Sequence, residues 1–169
     1  MIGVQLRCGR EALKMGKFPI IREPFGQKDI DARRKQEKSV FLAMSEVYCK
    51  GMKHDGITDV TEELGFDVEL QTYVKWSGWK VRLCPECLDL VKESAKHTNR
   101  CRHLAYKTFC HHCPTPCYAQ SAREKIRPIM RYSGPRIMTR HPVLGVQYMV
   151  LTARHARIIK RYERKNNQT

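Results

Sequence analysis

Acidic residues are scarce in the second half of this chain. From Lys96 to Thr169 there are sixteen Lys and Arg against two acids, Glu124 and Glu163. Long apolar runs are lacking too. The longest, Pro142 to Leu151, is interrupted by Gln147 and is too short to span a bilayer. Residues 1–10 already carry Arg7 and Arg10 without a continuous apolar core, so no secretory signal is visible. Also missing are a phosphate-binding glycine loop, a nucleophile-elbow serine and an HExxH pair, which removes the common routes to catalysis. There is no internal repeat and no low-complexity tract. These absences point to a cytoplasmic protein of one domain, large enough to bury a core without disulfides.

Cysteine is plentiful. Seven of the eight thiols fall between Cys49 and Cys117, including two CxxC pairs, Cys84/Cys87 and Cys110/Cys113, separated by 22 residues. A CxxC turn aims two sulfurs at one point, and two such turns can close a tetrahedral shell around zinc or hold the corners of an iron–sulfur cluster. A reducing compartment keeps thiols available for metal rather than for disulfides. Cys101, Cys117, Cys49 and, five residues after Cys49, His54 are further candidate ligands. His111 and His112 read as exposed turn residues, and Cys8 as a bystander. A Cys–His nucleophile such as Cys110 with His112 has less support than ligation.

Net charge is +15, while residues 55–70 hold six acids and no Lys or Arg. A basic half favours polyanionic partners. It is equally the composition of a solvated helix face. For Arg123, Lys125, Arg127, Arg131 and Arg136 the choice lies between an anion site and neutralisation of an anionic thiolate centre, the latter favoured for Arg131 and Arg136.

Residues 1–28, punctuated by Gly16, Pro19, Pro24 and Gly26, predict a loosely ordered arm. Asp29 or Asp31 caps a helix to about Lys50, with Val40, Met44, Val47 and Tyr48 as its apolar stripe. Alternation over 66–76 predicts a strand, Ser77-Gly78 a turn, and 79–83 a returning strand, together a small hairpin inserted at 55–82 before the first CxxC. Its two tryptophans read as packing anchors. Pro85 opens a helix to about Thr98. Ala119 to Tyr132 reads as a helix kinked or broken at Pro128. Ser133-Gly134-Pro135 stops it, with Gly134 left-handed. A basic helix follows over 142–164, with His141 capping or packing at its start.

The stretch Ala122 to Pro142, with its Arg131-Tyr-Ser-Gly-Pro-Arg136 core, resembles the signature of the nitrous-oxide-stimulated promoter family of small bacterial proteins. So do Tyr48-Cys49 with His54, Cys84-Pro-Glu-Cys87, Cys101 and Cys110-His-His-Cys-Pro-Thr-Pro-Cys-Tyr118. The resemblance covers roughly residues 35–152. It implies a cytoplasmic protein linked to nitric-oxide stress, with no molecular activity to transfer. The chain departs from the family pattern in the insert at 55–82, in Arg102-His-Leu-Ala105 where the family tends to a Pro-Phe-Gly-Glu-like run, and in Pro128.

The expectation is a mainly α-helical domain over 29–169, built around a cysteine-rich metal centre with a small β-hairpin insert. Zinc would be satisfied by Cys84, Cys87, Cys110 and Cys113. An iron–sulfur cluster could use Cys110, Cys113 and Cys117 with Cys101 or a CxxC member, and is preferred because cluster iron is a target of nitric oxide. The function expected is metal binding in the response to nitrosative stress, not catalysis. The alternatives are a zinc-stabilised nucleic-acid-binding or regulatory module using the basic half, and a thiol-redox enzyme.

Overall fold

The computed structural model of the chain describes residues 27–101, 103–104 and 117–167. The arm expected over 1–28 therefore lies outside the described residues, except for its last two positions, which already belong to the first helix. Cys8, Cys110, His111, His112 and Cys113 also lie outside them.

Helix α1 (Gln27–Gly51) is the axis of the molecule. Asp29 in its first turn and Lys50 in its last suit the helix dipole. Its middle has no solvent face: Lys38, Ser39, Val40, Phe41, Leu42 and Ala43 are all buried, as are Ser45, Glu46 and Val47. A helix apolar on one stripe only would not survive such enclosure, so every enclosed polar group here has a partner. The hydroxyls of Ser39 and Ser45 donate to the carbonyls of Lys35 and Phe41, each at 2.9 Å. Lys38 Nζ donates to Asp67 Oδ2 at 2.7 Å and to Glu69 Oε2 at 2.8 Å.

After α1 come strand β1 (Thr58–Asp59), a 3-10 turn (Glu62–Phe66), α2 (Val68–Ser77) and β2 (Arg82–Leu83). The two strands pair antiparallel, Thr58 opposite Leu83 and Asp59 opposite Arg82. The hairpin thus exists, but the alternating stretch 66–76 is not one of its strands. It forms α2, because Asp67 caps that helix by accepting the Leu70 N–H at 3.1 Å, and Gly78 ends it in the left-handed region at φ 65°. Leu70 and Val74, one turn apart, are its buried pair, while Val68 and Trp76 face solvent.

Helices α3 (Pro85–Asn99) and α4 (Gln120–Ser133) cover one side of α1. The short α5 (Ile137–Arg140) and long α6 (Pro142–Asn166) cover another. The main core joins Leu42 and Cys49 of α1 to Leu88 and Val91 of α3 and Ile126 and Ile129 of α4. A smaller cluster joins Val40 and Ala43 to Ile137 and Leu144.

Two local expectations, the break at Pro128 and the left-handed Gly134, are not found. Helix α4 runs through Pro128 without a break: the proline is exposed, so the carbonyl it leaves without an N–H partner lies on the solvent side. Gly134 is right-handed, with φ −49° and ψ −56°. It is needed for space instead, since a Cβ there would come within 2.9 Å of the Met130 carbonyl, and the helix stops because Pro135 cannot continue the hydrogen-bond ladder.

Candidate metal centre

Cys49 stands in the last turn of α1, and the chain then reverses through a Schellman turn. The His54 N–H bonds the Cys49 carbonyl at 3.1 Å and the Lys53 N–H bonds the Lys50 carbonyl at 3.2 Å. Lys53 takes the left-handed position, φ 54°, that such a turn requires. The turn carries His54 back beside Cys49. Its ring packs edge-on against Tyr48, with centroids 5.3 Å apart.

From the other side, β2 delivers Cys84 to the start of α3. Cys84 is the N-cap, Pro85 opens the helix, and the Cys87 N–H points at Cys84 Sγ, 3.5 Å away. The Cys84 N–H points at Cys49 Sγ at 3.3 Å. Backbone N–H groups thus point at the Cys49 and Cys84 sulfurs at the positive end of α3, each a contribution in the direction of thiolate.

The four side chains meet. Cys49 Sγ, His54 Nδ1, Cys84 Sγ and Cys87 Sγ all lie within 4.8 Å of one another, and His54 Nδ1 is 3.4 Å from both Cys84 Sγ and Cys87 Sγ. Around a tetrahedral ion with metal–sulfur bonds near 2.3 Å and a metal–nitrogen bond near 2.0 Å, the donors are separated by roughly 3.5–3.8 Å. The donor set therefore fits a single metal ion. All three cysteines are buried free thiols. Burial pushes the Cys49 and Cys87 thiols up. Burial also acts on Cys84, but there the hydrogen bonds from the Cys87 backbone and from His54 outweigh it, and its pKa is lowered. Cys84 is the first of the three to become thiolate, and seating a cation displaces protons from the other two.

The remaining candidates are placed elsewhere. Cys101 follows the far end of α3, a helix of 15 residues and so roughly 22 Å long. It therefore cannot share an ion with Cys84 and Cys87. Cys117 is exposed next to Tyr118, whose hydroxyl donates to Ser94 Oγ at 3.0 Å and whose ring packs on His97, on the far half of α3. Arg123, Lys125, Arg127, Arg131 and Arg136 are exposed on α4 and the turn after it. Lys125 pairs with Glu86 of the CPEC turn at 3.2 Å, and Arg136 lies over the Tyr132 ring at 4.0 Å. His141 packs on Trp79 with ring centroids 4.7 Å apart and makes no side-chain cap.

The profile of the nitrous oxide-stimulated promoter family matches residues 32–161, most of the chain and all four converging donors. The chain belongs to this family. An uncharacterised protein YgbA of Escherichia coli (strain K12) is 38% identical over 55 residues, which are 32% of this chain and 47% of that protein. The chain thus spans about half the length of this curated relative. No solved structure matches it. No helix among the described residues is long and apolar enough to cross a membrane.

The sequence reading did not find the role of Glu46. Its Oε1 accepts from the Arg82 N–H at 3.0 Å and from Lys50 Nζ at 2.9 Å, and its Oε2 accepts from Trp79 Nε1 at 2.9 Å. The two bonds from Arg82 and Trp79 to this buried carboxylate fix β2, and with it the approach of Cys84, against α1. A lone glutamate within an apolar stretch was the only signal available.

Proposed function

We propose that this protein binds one transition-metal ion through Cys49, His54, Cys84 and Cys87, and that the ion locks the hairpin and α3 onto the end of α1. The observation that carries this reading is the convergence of three sulfurs and one ring nitrogen at 3.4–4.8 Å. Zinc is the ion we assign. A closed Cys3His shell is a structural zinc arrangement, whereas a cluster spreads its ligands over several irons and needs wider spacing. This moves the preference away from the iron–sulfur centre that the link to nitric oxide favoured. When bound, zinc supplies a redox-inert cross-link. His54 and the two N–H groups aimed at Cys49 and Cys84 orient the sulfurs for it.

The name of the family supports a role in nitrosative stress. In that setting the protein acts by binding, not catalysis: transfer of the nitroso group from a small S-nitrosothiol to a ligand thiolate, with the donor leaving as its own thiolate, caps the ligand and releases the ion, which loosens the α1–α3 junction. The test is metal analysis of anaerobically purified chain. Variant Cys49→Ser should lose the ion, while a variant with Ser at 101, 110, 113 and 117 should keep one zinc per chain. Loss of metal from the fourfold variant with retention by Cys49→Ser would refute the assignment.

A second reading rests on the last turns of α6, where Arg157, Lys160, Arg161 and Arg164 are all exposed. This face suits the phosphates of nucleic acid. Such binding would weaken steeply with salt, and absence of binding to a DNA duplex at low salt would remove this reading.

A further inference from the structure

Beside the last turns of α1, lined by Glu46, Val47, Lys50 and Gly51 and not by Cys49, lies a concavity of about 370 Å³ that the metal centre does not use. Four separate segments bring permanent cations to it: Lys50 from α1, Lys80 from the link into β2, Arg136 from the turn after α4, and Arg140 from α5. The one carboxylate in its wall is Glu46. Glu46 is buried and accepts from Lys50, the Arg82 N–H and Trp79 Nε1, with His141 Nε2 3.8 Å away. It balances Lys50, Asp59 outside the concavity interacts electrostatically with Lys80, and Arg136 and Arg140 have no carboxylate partner among the described residues. Lys80 and Arg140 make no ion pair among the described residues. Arg136 lies over the Tyr132 ring, 4.0 Å from its centroid, with one of its nitrogens donating to the Tyr132 carbonyl at 2.7 Å. That anchorage leaves the rest of its planar fork of donors available, the geometry that grips oxyanions in two-point fashion.

Gathering like charges around one hollow costs self-repulsion unless an anion offsets it. A simple solvated face carries them outward along a ridge, as α4 carries Arg123, Arg127 and Arg131 at four-residue intervals. Trp79 and His141, packed with their rings tilted by 55°, supply the concavity with an aromatic wall.

We propose that this concavity binds a compact oxyanion of the phosphate class, with Lys80, Arg136 and Arg140 as its recognising groups. The site is distinct from the metal centre, and the proposal does not depend on which ion that centre holds. A free oxyanion is favoured over the backbone of a duplex because the charges face into a hollow rather than along a ridge.

Trp79 is the reporter. Trp76, the other tryptophan, is 79% exposed on α2, so Trp76→Phe leaves Trp79 as the sole indole. In that background, titration with inorganic phosphate at constant ionic strength should change Trp79 emission saturably, while sodium chloride should not. The double variant Lys80→Gln/Arg140→Gln removes two exposed side chains without breaking any ion pair. It should weaken binding at least about tenfold, as expected for losing charge-assisted contacts. Arg127→Gln, on the outer face of α4, should leave affinity unchanged. Metal content should match wild type in every variant, which separates this result from the fate of the metal assignment. A duplex that competes with phosphate would assign the site to phosphodiester, and one that does not would assign it to free oxyanion. No saturable response up to about 10 mM phosphate, or equal binding by the double variant, would overturn the proposal.

Discussion

Lys53 occupies a backbone conformation that costs an L-residue about 1 kcal/mol, and it does so in the turn that places His54 beside Cys49. Glycine at this position would keep the turn and remove the strain. Lys53→Gly should therefore raise stability by about 1 kcal/mol, read as a higher urea midpoint, with metal content unchanged. A fall in the midpoint would show that the lysine side chain itself is needed. At the same scale, Cys49→Ser and His54→Gln should each weaken zinc binding by more than about a hundredfold, beyond the loss typical of removing a group that only supports a ligand. Cys101→Ser, at the far end of α3, should leave the affinity within about a factor of two. Competition with a chromogenic chelator measures all three. Affinity should also fall as pH falls, because burial holds Cys49 and Cys87 protonated and the ion must displace those protons.

At the scale of elements, Lys38 is the pin that joins α1 to α2, and through Asp67 to Asn99 at the end of α3. Both Lys38 and Asp67 are buried. Lys38→Met leaves a buried carboxylate without its cation and should destabilise the fold by about 3–5 kcal/mol, measured by urea unfolding. A loss under about 1 kcal/mol would mean the pair is bypassed by solvent. Burial acts on the Asp67 carboxyl too, but the bonds from Lys38 and from the Leu70 N–H outweigh it and hold its pKa below the ordinary carboxylate value. With the folded value depressed, its contribution is complete above the unfolded pKa of about 3.9 and is lost as pH falls through the folded one. Acid unfolding of wild type should begin below about pH 5, and Asp67→Asn should flatten that dependence. These elements were unevenly legible. Helix α3 was legible because Cys84, Pro85 and the stripe Leu88, Val91 and Ala95 agree. Helix α2 was misread because Leu70 and Val74 satisfy a two-residue period and a helical turn alike, and only Asp67 and Gly78 mark the ends that decide between them.

For the whole molecule, α1 and α3 packed side by side bring the end of one to the start of the other, and the donor set forms where they meet. The ligand residue types were legible from chemistry alone, because CxxC before a proline-opened helix is a local signal and His54 follows Cys49 at the spacing of a helix-ending turn. What joins Cys84 and Cys87 to Cys49 was not legible. It depends on the packing of Leu42, Leu88 and Val91 and on Glu46 holding β2, contacts that span more than thirty residues of sequence. Truncating Leu42, fully buried at that junction, to Ala should cost about 2–5 kcal/mol and should be partly offset by added zinc, since an ion that binds only the folded chain stabilises it. If zinc left the thermal midpoint of this variant unmoved, the centre would not lie at the α1–α3 junction. The most direct measurement is the metal-edge X-ray absorption of the chain carrying Ser at 101, 110, 113 and 117. The account predicts one zinc with three sulfurs at about 2.3 Å and one nitrogen at about 2.0 Å; four sulfurs without nitrogen, or a metal–metal shell, would contradict it.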